Sequence, residues 1–227
     1  MGSDTAVIVI AHDEADRLPA TLAALASAFP GARVIVADDA SSDGSAELAR
    51  AAGARVVSAP RRIGKGGVAT LAARELLARA GGPEPAVVVL CDGDLGDSAG
   101  ALSPLVEAVR AGRADLAIGA FSRRVGGGFG LALGFARWAI RRRCGLVVDA
   151  PISGQRALRG GLLPSLLPFA ARFGMEIGMT VDAARAGARV AELELELEHR
   201  ATGRTLRGFL HRGRQLGDFV AVYLARG

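Results

Sequence analysis

The first half of the chain alternates short apolar runs with longer mixed segments. The runs 6–11, 33–37, 54–58, 87–91 and 114–120 are rich in Val, Ile, Leu and Ala, with almost no polar interruption. That pattern predicts strands, with 6–11 and 87–91 buried on both faces. Between them, 14–28, 47–52, the stretch opening in 61–67 and running through 80, and 98–111 carry helical spacing. The breaks fall at Pro30-Gly31, Gly53, Gly81-Gly82-Pro83 and Gly112. Strands alternating with helices of this length imply βαβ units and a mostly parallel sheet. The second half is less regular. It predicts a helix over 131–144, a strand and turn with polar side chains over 149–158, and a helix opened by 173–182 and stopped by Gly187. Residues 190–198 alternate strictly, Leu193, Leu195 and Leu197 against Glu192, Glu194, Glu196 and Glu198, as a half-exposed strand does. An amphipathic helix is expected over 206–224.

A length of 227 residues, half of them hydrophobic, suits one α/β unit with a sizeable core. No charge-free apolar stretch reaches about 18 residues, and no signal-peptide pattern opens the chain, so a cytoplasmic location is expected. Cys91 and Cys144 form neither a metal-ligand nor a disulfide pattern. The net charge is +5, and Lys65 is the only lysine; every other basic residue is Arg, and asparagine is absent. Such a bias matches a GC-rich genome, which accounts for most of the arginines. It also makes Lys65 informative, because a lysine kept against that pressure points to a need for an ammonium point charge. With one Trp and one Tyr, the chain lacks the aromatic interleaving of single-strand binders, so no nucleic-acid partner is expected.

The candidate chemistry centres on Asp92-Gly93-Asp94, two carboxylates at the end of a buried strand. Alternation on leaving the strand puts both on one side, with Gly93 admitting a ligand. Such a pair suits a divalent cation accompanied by substrate phosphates, although an acidic strand end can also be merely solvated. In open α/β sheets that end of the strands is where ligands bind.

Four places together resemble the nucleotide-sugar glycosyltransferases of the GT-A fold, glycosyltransferase family 2 and its relatives. They are Ala11-His12-Asp13-Glu14, Asp38-Asp39-Ala40-Ser41-Ser42-Asp43-Gly44, Gly64-Lys65-Gly66 and Asp92-Gly93-Asp94. Ser153-Gly154-Gln155-Arg156, Gly174-Met175-Glu176-Ile177-Gly178 and Glu198-His199-Arg200 are most similar to glucosyl-3-phosphoglycerate synthases, and more loosely to polyprenyl-phosphate sugar transferases. The resemblance implies one GT-A, Rossmann-like domain over 1–227, with a nucleotide-binding half (1–120), an acceptor-binding half (121–227) and a C-terminal amphipathic helix. It implies metal-dependent, retaining transfer of a hexose from a UDP- or GDP-linked donor to a phosphorylated or acidic acceptor. Mg2+ or Mn2+ would be held by Asp94 and His199 with Asp92. Ala11, His12, Glu14, Asp38, Asp39, Lys65, Asp92, Gly93 and Gly154 would line the donor site. Glu176 would hold the donor sugar's hydroxyls, or act as base in an inverting reaction. Gly128, Arg156, Arg200 and Arg204 would face the acceptor.

Two positions depart from the pattern. His12 stands where family 2 usually has Asn. Phe129-Gly130-Leu131 replaces the Arg and Thr with which the synthases hold the acceptor's phosphate. The acceptor therefore stays open between a small phosphorylated acid and a polyprenyl phosphate. Arg137, Arg141, Arg142 and Arg143 beside Trp138 suit either a solvated basic helix or peripheral membrane contact. A homodimer is compatible with all of this. Nucleotidyl transfer would want a glycine-rich loop after the first strand, where His12-Asp13-Glu14 stands instead. A non-catalytic basic binding domain on the same fold is the reading of another class.

Overall fold

The computed structural model describes residues 4–78, 84–121 and 131–197. Among the described residues, seven strands form one sheet: β1 (Thr5–Ala11), β2 (Arg33–Asp38), β3 (Arg55–Ser58), β4 (Val87–Asp92), β5 (Leu116–Phe121), β6 (Arg156–Arg159) and β7 (Val190–Leu195). Their order is β3-β2-β1-β4-β6-β5-β7. All pairings are parallel except those of β6, which runs antiparallel between β4 and β5. The described helices that flank the sheet are α1 (Leu18–Ala28), α2 (Ser45–Ala51), α3 (Lys65–Ala78), α4 (Ser103–Arg110), α5 (Leu131–Cys144) and α6 (Met175–Arg185). This is the GT-A, Rossmann-like arrangement.

Strand alternation divides the core. Ala6, Ile8 and Ile10 pack with Leu90, Ile35, α3 and α6, whereas Val7, Val9 and Ala11 pack with Val89, Val36, α1 and α4. A third cluster, with Ala136, Ile140, Ile177 and Val181, joins α5 to α6.

Three elements differ from the sequence expectation. The helix expected from residue 14 begins at Leu18, with Pro19 in its first turn. The helix expected over 98–111 divides into a 3-10 segment, Gly96–Leu102, and α4, which has Pro104 in its first turn. In both, a proline ring obstructs the carbonyl of the preceding turn and has no N–H to continue the ladder, so it belongs at a start. The last strand ends at Leu195. The expected C-terminal helix lies outside the described residues.

Candidate active site

The carboxyl ends of β1, β2 and β4 lie side by side. Ala11 pairs with Asp38, and Ile10 with Asp92. The Gly93 N–H donates to Ile10 O at 2.8 Å and the Asp39 N–H to Ala11 O at 3.0 Å. A Cβ on Gly93 would stand 3.2 Å from the Ala11 Cβ, so Ala11 and Gly93 form a tight floor. The loops after β1 and β2 are laced together above it. The N–H groups of Asp13, Glu14 and Ala15 donate to Ser41 Oγ, Ser45 Oγ and Asp43 Oδ2 at 2.9–3.0 Å. Asp13 Oδ1 takes the Ser42 N–H at 2.8 Å, and His12 Nδ1 lies 2.9 Å from Asp39 O. Hydrogen bonds from Ser45 and Ala15 outweigh partial burial and hold the Asp43 carboxyl below its ordinary range.

Asp38 and Asp39 are both buried. Asp38 Oδ1 accepts the Ser41 N–H. Asp39 accepts the N–H groups of Ile63 (2.7 Å to Oδ1) and Gly64 (2.9 Å to Oδ2), and so fixes the loop that delivers Lys65. Gly64 has φ +84, where a side chain would be strained, and Gly66 faces the Ala170 carbonyl with no room for a Cβ.

Lys65, the first residue of α3, projects between two carboxylates. Its Nζ lies 2.6 Å from Asp92 Oδ1 and 2.8 Å from Glu176 Oε1. Burial alone would depress the ammonium's pKa; the two carboxylates outweigh burial and raise it above the ordinary lysine value. Glu176 sits in the first turn of α6, where the helix dipole favours a negative charge. Asp92 Oδ2 accepts from Gln155 Nε2 at 2.8 Å, and the Asp92 N–H donates to Gln155 Oε1 at 3.1 Å. Gly154 lies against this group, and a Cβ there would fall 2.6 Å from Asp92 Oδ2. Burial, reinforced by Asp92 and Asp94, pushes the Cys91 thiol far up, so this cysteine is no nucleophile.

Arg156 departs from its expected place at the acceptor. It is 1% exposed and donates to Ser153 O (2.9 Å), Pro151 O (3.2 Å) and Thr180 Oγ1 (2.9 Å). Burial pulls its pKa down to about 10 against the opposing pull of Glu176 and Glu192, so it is cationic at neutrality. Thr180 Oγ1 in turn donates to the Glu176 carbonyl. Arg156 thus ties the 151–153 loop to α6, because β6 presents its side chain to the interior.

Gln155 and Arg172 carried no expected role. The Ser-Gly-Gln-Arg motif was the available signal for Gln155. Arg172 holds φ +51, uncommon for a side chain, and its stem packs on Gly64 at the rim of the site. Gly128, His199, Arg200 and Arg204 lie outside the described residues.

The donor set admits a hard divalent cation. Among the described residues no cluster of three His, Cys, Asp or Glu forms a cage. Asp92 and Asp94 at a strand end instead match a cation bound by one or two carboxylates and completed by substrate phosphates.

The chain is similar to proteins of known family and structure. The model of glycosyl transferase family 2 matches residues 6–144. Glucosyl-3-phosphoglycerate synthase from Mycobacterium tuberculosis in complex with phosphoglyceric acid is similar in structure, with a TM-score of 0.77 and 29% identity over 99% of this chain and 80% of that one. The same enzyme with Mn2+, UDP-glucose and phosphoglyceric acid gives 0.75 and 29%, over 99% and 80% of the chains. With Mg2+ and UDP it gives 0.76 and 30%, over 99% and 79%. No curated protein matches the chain. On the family match and the shared architecture, the chain is a glycosyltransferase and belongs to glycosyl transferase family 2.

Proposed function

We propose that this enzyme transfers glucose from UDP-glucose to a small phosphorylated or acidic acceptor, with retention and in the cytoplasm. The observation that carries the reading is the Asp92–Lys65–Glu176 group at the carboxyl ends of the strands. It stands in a chain that aligns over 99% of its length with an enzyme whose structure holds Mn2+, UDP-glucose and phosphoglyceric acid.

Transfer breaks the bond from the anomeric carbon to the diphosphate and develops negative charge on the leaving group. Asp94, with His199 and Asp92, would hold Mg2+ or Mn2+, which supplies Lewis-acid neutralisation of that charge. Ala11, His12, Glu14, Asp38 and Asp39 shape the nucleotide side. Lys65 places an ammonium beside the diphosphate. Glu176 accepts hydroxyls of the donor sugar. Its carboxylate is engaged by Lys65 at 2.8 Å, which suits a holding role better than that of a free base, and this favours retention. Arg61 and Arg62 on the loop and Arg172 across from it make a basic rim for an anionic acceptor; Arg200, Arg204 and Gly128 would complete that side.

A second reading, transfer to a polyprenyl phosphate at a membrane surface, draws on α5. There Trp138 is 49% exposed beside exposed Arg141 and Arg142. No helix of the described residues is long and apolar enough to cross a membrane.

The test is calorimetric titration of UDP, GDP and their glucose and mannose conjugates with and without Mn2+, followed by product analysis with 3-phosphoglycerate and with a polyprenyl phosphate. Metal-dependent binding of UDP-glucose and an α-linked product on the soluble acceptor support the reading. Binding of no nucleotide under any condition refutes it.

A further inference from the structure

We propose that Gln155 is a positioning residue for donor binding: its carboxamide fixes Asp92, and through Asp92 it fixes Lys65. This rests on the donor site described above.

Asp92 is the last residue of β4, paired on one side with Ile10 of β1, and its side chain is only partly buried. Gln155 confines it from both sides of one amide. Nε2 donates to the carboxylate at 2.8 Å, and Oε1 accepts the backbone N–H of the same residue at 3.1 Å. The two bonds admit one orientation of the amide, since the nitrogen must meet the carboxylate and the oxygen the N–H. With Oδ2 held, Oδ1 is turned to Lys65 Nζ at 2.6 Å.

Gln155 is itself held by its surroundings. It is 2% exposed, and its carbonyl accepts the Gly119 N–H at 2.8 Å. Ser153 Oγ donates to Gly119 O at 2.5 Å, and Arg156 Nε donates to Ser153 O. A rigid turn thus holds a neutral amide against an anion. The charges facing the pair are Lys65 from α3 and Glu176 from α6. A carboxylate at 155 would oppose Asp92 at hydrogen-bonding distance, so the neutral amide is the side chain that both donates and accepts there without like-charge repulsion.

The lone lysine makes this testable without turnover. Reductive methylation of the substrate-free enzyme, read by peptide mass spectrometry, reports Lys65 as the one side-chain amine in the chain. In Gln155→Met, similar in length but with neither hydrogen bond, Lys65 is expected to methylate several-fold faster, and UDP in the presence of Mn2+ to bind about 10- to 100-fold more weakly, the usual effect of removing a ligand's supporting partner. Gln155→Leu, which also lacks both hydrogen bonds and adds no charge, serves the same comparison where Gln155→Met fails to fold. Faster methylation together with weaker UDP binding supports the proposal. A variant with wild-type methylation, or with wild-type UDP affinity, overturns it. Failure of the wild-type enzyme to bind UDP refutes the donor reading instead; the methylation rates still decide whether Gln155 holds Lys65 through Asp92.

Discussion

Gly154→Ala adds one methyl group at the most crowded point of the site. No backbone strain is involved, because Gly154 is not among the glycines with positive φ. The new Cβ would stand 2.6 Å from Asp92 Oδ2, where ordinary contact begins at 3.4 Å, and closer still to Lys65 Nζ. Something must shift. Asp92 is held by Gln155 at 2.8 Å and by Lys65 at 2.6 Å, and Lys65 by Glu176 at 2.8 Å, so any relief opens a hydrogen bond to a charged group. Losing one such bond costs about 1.5–3 kcal/mol. At about 1.4 kcal/mol per tenfold, UDP affinity in the presence of Mn2+ falls roughly 10- to 150-fold. The same loss lowers stability, and the restricted unfolded chain of the Ala variant offsets at most about 1 kcal/mol of it. The assay is calorimetric titration of UDP beside a thermal melt. Gly134→Ala is the control: it lies in α5 with nothing within 4 Å of its Cβ, and it gains roughly 1 kcal/mol of helix propensity with no change in affinity. A Gly154→Ala enzyme that binds UDP within threefold of wild type would refute the reasoning.

Lys65→Arg keeps the charge but replaces a compact ammonium with a planar fork that cannot meet Asp92 and Glu176 in the same space; nucleotide affinity should drop about tenfold by titration. Arg156→Met leaves Ser153 O and Pro151 O without their buried donor and should lower stability by about 3 kcal/mol, read as a shifted denaturation midpoint. Asp115 is held below its ordinary range of 3.8, first by the Arg189 hydrogen bonds and then by the charges of Arg189 and Arg159. A carboxyl depressed on folding contributes stability above its unfolded value and loses it as pH falls through the folded one. The stability difference between wild type and Asp115→Asn should therefore be constant near neutrality and close at strongly acid pH in equilibrium denaturation. Chelation of divalent cations should abolish UDP binding in titration and lower the melting temperature only by the mass-action contribution of the bound metal.

The sequence made the fold readable where burial dominates. Residues 6–11 and 87–91 are apolar throughout because both faces are covered, and β1 and β4 pair at the centre of the sheet. Lys65 and Asp92 were visible as candidates, because a lone lysine and an acidic strand end stand out locally, whereas Glu176 was implied by the family resemblance of Gly174-Met175-Glu176-Ile177-Gly178. Their mutual contact was not visible, since it joins α3, β4 and α6 across more than a hundred residues. Arg156 was misjudged for a related reason: a strand of four residues has no periodicity that says which side chain faces inward. Gln155 acquires its role only from the antiparallel pairing of β6 with β4, which no local pattern encodes.

The placement of β6 also bears on mechanics. A strand hydrogen-bonded on one edge to β4 and on the other to β5 makes one continuous ribbon of the sheet from β3 to β7. Among the described residues, the two halves of the chain therefore share one continuous floor. Clamshell closure of one half on the other, a common way of shutting out water during transfer, would tear that ribbon. Substitutions that alter turnover through motion should map to the connections above the strands rather than to the sheet.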